Sequence, residues 1–330
     1  MIPESLKVVY LTGREPQTTY MRMCCEEVLA RVDSLHNISV FDHDKPLAPQ
    51  FEGVEVVVDF GGIIGTREMG DASVGSVRLW QILGTGIDHF ELDYWKSLKI
   101  PVSNTPGPFS ATALGECAMM FILMLARGYA IARKNLFEGL MFEPFGMELE
   151  GLRLGIVGFG ASGKELARRA KVFGLKVSAI DTRDVGEDEV EEYGLDFAGK
   201  LADLDRVIAE SDILSVHLPL NEETHHIVDG RRLALMKPTA FLINVACGAL
   251  VDETALADAL VESRIAGAGL DAYGQEPPDI TSPLFNLPNV YTTPHIAGQT
   301  DGTTRKRAQA IAENVDRLAA GLEPLYRVDQ

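Results

Sequence analysis

LRLGIVGFGASGKELARRAKVFGLKVSAIDTR, residues 152–183, carries the pattern that decides the fold. The apolar run LGIVG reads as a buried strand. It leads into Gly158, Gly160 and Gly163, spaced G-x-G-x-x-G, and a helical pattern, SGKELARRA, opens at once. A second apolar run, VSAID, ends at Asp181, 18 residues beyond Gly163. The triplet alone is a weak signal. Strand, turn, helix and a second strand ending in an acid together make a dinucleotide-binding βαβ unit. The first glycine permits the tight turn, the second admits a pyrophosphate to the backbone, and the third lets helix and strand pack closely. Ala161 and Ser162 lie in that turn, where the helix start offers unspent N–H groups to phosphate. Asp181 is placed to accept hydrogen bonds from the adenosine ribose. Its charge opposes a 2′-phosphate, so the expected cofactor is NAD rather than NADP. Arg183, two residues on, is the one feature that argues the other way.

Working outward, four further apolar runs follow: SDILSVHLPL (211–220), AFLINVACG (240–248), AGAGLDAY (266–273) and NVYTTPHIAG (289–298). Each closes on polar or small residues, and in an open parallel sheet such carboxyl ends line the ligand crevice. Upstream, KVVYLT (7–12), VEVVVDF (54–60) and LWQILGTG (79–86) read as buried strands, with a helical stretch near 17–33. PVSNTPGPFS (101–110) is a break, and one long helix is expected from about Ser110 to Leu136. The last helix, from about Thr303 to Ala320, has no strand after it. The reading is an α/β chain of two Rossmann-like domains with parallel sheets, one flavodoxin-like and one NAD-binding. Residues 105–296 form the NAD-binding domain, inserted into a substrate domain of 1–104 plus 297–330.

Composition bounds the function. The 330 residues include 48 acidic and 30 basic side chains, a formal net charge of -18. Nucleic acid and anionic membrane surfaces would repel such a chain, so neither is an expected partner. Cys24, Cys25, Cys117 and Cys247 form no CxxC pair, and no histidine lies at metal-ligand spacing beside them. No metal site is expected, and the thiols suit a reduced cytoplasmic protein. The start, MIPESLKVVYLT, has no signal-peptide pattern. The most apolar stretch, Cys117 to Ala126, is too short to span a bilayer and reads as a buried helix.

Seven ordered motifs resemble those of the D-2-hydroxyacid dehydrogenases, from about residue 54 to 320. They are GTGIDHFEL (84–92), NTPG (104–107), GFGASG (158–163), HLPLNEETHHIV (217–228), LINVACGALVDE (242–253), GLDAYGQEPP (269–278) and TPHIAG (293–298). The resemblance implies hydride transfer between nicotinamide and a D-2-hydroxy acid or 2-keto acid, and a homodimer. It makes His295 the general acid–base and Glu276 its carboxylate partner, which orients the imidazole and favours its charged form. Asp271 falls where the family meets the nicotinamide carboxamide. Val245, Ala246, Ala297 and Gly298 fall near the nicotinamide, and Pro219 and Thr224 near the adenosine. Ser162 replaces a more usual apolar residue, a change expected to be harmless.

One position departs. The family reads N-x-A-R-G where this chain reads Asn244-Val245-Ala246-Cys247-Gly248, so Cys247 stands in place of the arginine that holds the substrate carboxylate. Guanidinium offers a permanent charge and a planar fork; a thiol offers one weak donor. A buried carboxylate left without its partner costs about 3–5 kcal/mol. Three readings stay open. Arg67, in the segment after Gly61 and Gly62 of the expected substrate loop, could substitute. The substrate could lack the usual carboxylate contact. Or the protein could bind NAD(H) as a sensor with little turnover.

Overall fold

The computed structural model describes residues 5–14, 17–87 and 89–330. The chain divides into two compact units, Met1–Phe109 with Gln299–Gln330, and Ser110–Gly298. The sequence reading set these divisions at 104/105 and 296/297.

In the first unit, β1 (Lys7–Leu11), β2 (Asn37–Val40), β3 (Val56–Phe60), β4 (Leu79–Leu83) and β5 (Val102–Ser103) form a parallel sheet in the order β2-β1-β3-β4-β5. The inner strands β1, β3 and β4 are nearly continuous apolar runs because helices cover both faces. Edge strand β2, NISV, is mostly exposed, so no apolar run marks it in the sequence. The helix Thr19–Val32 is capped by Thr18 and packs on the helix Asp301–Ala319 through Cys24, Val28, Ala308 and Ile311. That terminal helix is tied to the sheet where the buried Asn314 amide donates to Gln81 Oε1 at 2.7 Å. Strand order reverses between β1 and β3, the position where open α/β sheets accept ligands.

The second unit holds β6 (Arg153–Val157), β7 (Lys176–Ile180), β8 (Leu195–Gly199), β9 (Ile213–Val216), β10 (Phe241–Asn244), β11 (Gly267–Leu270) and β12 (Val290–Thr292), all parallel, in the order β12-β11-β10-β9-β6-β7-β8. The switch lies between β6 and β9. The apolar run from Cys117 sits in the helix Ala111–Ala126, whose Ala118, Phe121 and Ile122 are buried against this sheet. Small residues set how closely that helix packs. A Cβ on Gly115 would fall 2.8 Å from Glu165 Cβ, and one on Gly269 2.6 Å from Phe121 Cβ. No single helix among the described residues is long and apolar enough to cross a membrane.

The long helix expected over 110–136 is two helices, Ala111–Ala126 and Tyr129–Phe137, bent by 52°. Gly128 between them is left-handed, φ +55°, a conformation that ends a helix and that glycine adopts without steric cost. Several expected strands also end early: β4 at Leu83, β9 at Val216 and β10 at Asn244. Their polar extensions are loops, and the candidate site residues stand on them.

Candidate active site

β6 delivers the chain into Gly158 with φ +97°, where a Cβ would lie 2.6 Å from His217 O. A Cβ on Gly163 would lie 2.3 Å from Gly158 O, so the third glycine keeps the helix Ala161–Val172 against the turn. Gly160 differs: nothing lies within 4 Å of the place a Cβ would take. The turn is closed where protein packs on it and open at its middle glycine, which fits an approaching pyrophosphate.

Asp181, one residue past β7, accepts from Phe159 N at 2.8 Å through Oδ2 and from Arg183 N at 3.0 Å through Oδ1. Ser162 Oγ lies 3.1 Å from His217 Nδ1, and His217 Nε2 lies 2.9 Å from Ser215 Oγ. Burial pushes the His217 pKa down to about 4, so the imidazole is neutral at pH 7. Ser162 thus contacts His217, one residue past β9, and His217 is a residue to which the sequence assigned no role. Pro219 and Thr224 meet directly, Thr224 Oγ1 donating to Pro219 O at 2.7 Å. Asn221 Oδ1 accepts from the Glu223 and Thr224 amides and closes the loop.

At the end of β10, Asn244 organises the next three residues. Its Oδ1 accepts from Ala246 N at 3.1 Å and its Nδ2 donates to Cys247 O at 2.8 Å. Val245 is buried, whereas Ala246 and Cys247 are half-buried and pack on the apolar cluster around Leu250 and Tyr273. Gly248 sits so close to Tyr273 that a Cβ would fall 1.8 Å from its carbonyl carbon. The Cys247 turn is thereby set against the loop that carries Glu276.

His295 Nδ1 lies 2.8 Å from both carboxylate oxygens of Glu276. The pair is solvent-accessible, with His295 57% and Glu276 39% exposed. Tyr273 N donates to Glu276 Oε1 at 3.1 Å and fixes the carboxylate. His295 holds φ +54°, left-handed for a residue with a Cβ, a strain that persists only where surroundings over-determine it. Asp271 is the over-determining group. It is fully buried and accepts from Thr293 Oγ1 (2.5 Å), Ile296 N (2.8 Å) and Ala297 N (2.8 Å). Its three bonds all go to the loop that presents His295, a positioning task distinct from the cofactor contact expected of it. Gly298 lies 3.6 Å, at the Cβ position, from Leu114 and Ser110 side chains.

The residues expected to bind substrate stand in the first unit. Gly61 and Gly62 follow β3 with φ +69° and +71°, and Gly61 O lies 2.8 Å from His89 Nε2. Arg67, the candidate substitute cation, has a partner in the same unit. Its guanidinium is exposed and forked onto Glu91 at 2.8 and 3.0 Å, so its charge is already matched. Arg307, which sequence reading passed over, donates to Tyr20 Oη and Thr85 Oγ1, both at 3.1 Å. Its buried Nε has no hydrogen-bond partner, and no carboxylate of the described residues pairs with it. Among the described residues, no group of histidine, cysteine, aspartate or glutamate side chains could hold a metal ion.

Residues 119–297 match the sequence model of the D-isomer specific 2-hydroxyacid dehydrogenase NAD-binding domain. A hydroxypyruvate reductase of Thermotoga maritima is 38% identical over 236 residues, covering 70% of this chain and 74% of the relative. A glyoxylate/hydroxypyruvate reductase B of Pectobacterium carotovorum is 30% identical over 312 residues, 93% of this chain and 96% of the relative. The chain belongs to the D-isomer specific 2-hydroxyacid dehydrogenase family. The structure agrees: a D-lactate dehydrogenase of Lactobacillus jensenii, solved with NAD+, aligns at TM-score 0.81 and 25% identity over 98% of this chain and all of that one. As a member of this family the protein is an NAD-dependent oxidoreductase acting on CH–OH groups of 2-hydroxy acids.

Proposed function

We propose that the enzyme reduces short 2-oxo acids of the glyoxylate and hydroxypyruvate class, with His295 as acid–base. The observation that carries this reading is the His295–Glu276 pair, presented on a loop held by Asp271. The hydride chemistry would be supplied by NAD(H) when bound. Glu276 engages Nδ1, so exchange of the hydroxyl proton falls to Nε2, and the carboxylate stabilises the imidazolium formed when that proton is taken. Ala161, Ser162 and the three glycines hold the pyrophosphate, Asp181 the ribose, Pro219 and Thr224 border the adenosine, and Val245, Ala246, Ala297 and Gly298 border the nicotinamide. Ser110–Gly298 is the cofactor domain and the other unit, with Gly61 and Gly62, the substrate domain. A homodimer is part of the same proposal.

Cys247 removes the family's cation for the substrate carboxylate. With Arg67 matched by Glu91, Arg307 is the better candidate to supply that charge, because it bonds only to hydroxyls. The second reading, an NAD(H)-binding sensor, is favoured by Cys247 alone. The test is NADH oxidation with glyoxylate, hydroxypyruvate, pyruvate and neutral 2-oxo compounds. Turnover of at least one 2-oxo acid is expected, falling about 10²–10⁴-fold in His295→Gln with NADH affinity retained. Cys247→Arg should raise turnover of a simple 2-oxo acid about ten-fold or more, ~1.4 kcal/mol in the barrier. Tight NADH binding without turnover across the panel would favour the sensor.

A further inference from the structure

We infer that Glu189 is a second determinant of cofactor choice: it occupies Arg183, the cation beside the ribose carboxylate, together with Lys164, and denies both to a 2′-phosphate. The inference rests on the reading of Asp181 as the ribose partner. Arg183 lies at the mouth of the site. Its Nη2 donates to Phe159 O of the glycine turn at 2.8 Å, its amide donates to Asp181, and its Nε is 4.0 Å from Asp181 Oδ2. By position alone it is the residue that would take a phosphate on the ribose, since guanidinium is the best-matched side chain for that group. Its Nη1, however, donates to Glu189 Oε2 at 2.5 Å. The other oxygen of Glu189 takes Lys164 Nζ, from the second turn of the helix Ala161–Val172. Each carboxylate oxygen is thus given to one cation. The two bonds, Arg183 first and Lys164 second, hold the Glu189 carboxyl down at about 2, so it stays ionised at any working pH.

Charge decides the outcome. Arg183 lies against both Asp181 and Glu189, and Lys164 pairs with Glu189, two cations against two anions. A 2′-phosphate brings about -1.5 to -2. It would meet a neutral cluster in which each cation already has a partner, and Asp181 would repel it. Lys200 is no substitute, being paired with Asp184 at 2.8 Å and bonded to Thr182 O. Removing Asp181 alone therefore leaves both cations engaged. Removing Glu189 as well leaves them to the phosphate.

The experiment measures Kd for NADH and NADPH by nicotinamide fluorescence in the full chain, with 2′-phospho-AMP and AMP as competitors. The proteins are the unmodified enzyme, E189Q, D181A, D181A/E189Q and D181A/E189Q/R183A. Glutamine keeps the shape of Glu189 and drops its charge. E189Q should bind NADPH about ten-fold or more tighter, with NADH changed about three-fold at most. D181A/E189Q should exceed D181A by about the same factor, and the triple variant should lose that gain. Should glutamine unfold the protein, E189A in the D181A background serves instead, with NADH binding as the check of folding. NADH binding with an unchanged NADPH-to-NADH ratio in E189Q overturns the inference. So does a gain that survives loss of Arg183. Failure of the unmodified protein to bind NADH would instead overturn the cofactor-site reading beneath it.

Discussion

His217 shows how far a single buried group reaches. It sits under the glycine turn between Ser162 and Ser215, and burial holds it neutral down to about pH 4. In the unfolded chain an ordinary histidine titrates near 6.5. Between these values the unfolded state binds the proton and the native state does not, so stability falls as pH drops from about 6.5 to about 4. The full loss is on the order of 3 kcal/mol. His217→Gln lacks that titration, and its urea stability should fall about 2 kcal/mol less than the unmodified protein's between pH 7 and 4.5. Parallel curves would show that the site is not closed to protons. The motif HLPL was legible, yet His217's partners were not, because Ser162 lies 55 positions away and only the β6–β9 pairing brings the two together.

Among the elements, the turns after β10 and β11 have the least tolerance. Gly248 packs on Tyr273 and Gly274 backbone, which has no flexible end to yield: a Cβ would lie 1.8 Å from Tyr273 C and 2.3 Å from Gly274 N. Gly248→Ala should cost about 3 kcal/mol or more and displace the loop holding Glu276, lowering kcat more than NADH affinity. Gly302→Ala is the control. Gly302 lies in the first turn of the helix Asp301–Ala319, with nothing nearer than 3.9 Å to a Cβ. There alanine should stabilise by about 0.5–1 kcal/mol. Thermal denaturation of both variants checks the contrast, and a mild effect at Gly248 would mean the two turns can separate. Helix boundaries follow the same logic. The break at Gly128 was hidden because apolar residues continue on both sides of it, and a glycine within a helical pattern does not announce its φ.

For the whole molecule, the proposed dinucleotide contacts all fall in the unit Ser110–Gly298. NADH at a hundred times its Kd stabilises the state that binds it by about 2.7 kcal/mol. The transition of that unit should rise in temperature with NADH concentration. Hydrogen exchange should slow at 158–164, 181–183 and 217–224. Slowing elsewhere with none in those segments would place the cofactor wrongly.

What the sequence determined by itself is the chemistry written in local patterns. The G-x-G-x-x-G turn, the acid just past β7, the TPHIAG and GQEPP motifs and the run Asn244–Gly248 are each contained in a short stretch, because each depends on backbone shape or side-chain type at adjacent positions. Strand β2, exposed at an edge, left no apolar signature. What only the tertiary structure decided are pairings across the sequence. Asp271 binds a loop 22 to 26 residues away, Glu91 matches Arg67, and Glu189 takes both Arg183 and Lys164. A charge in a sequence has a sign but no partner. Partners are assigned when strands and helices bring distant side chains within hydrogen-bond reach, and the interaction energy depends on those distances and on burial.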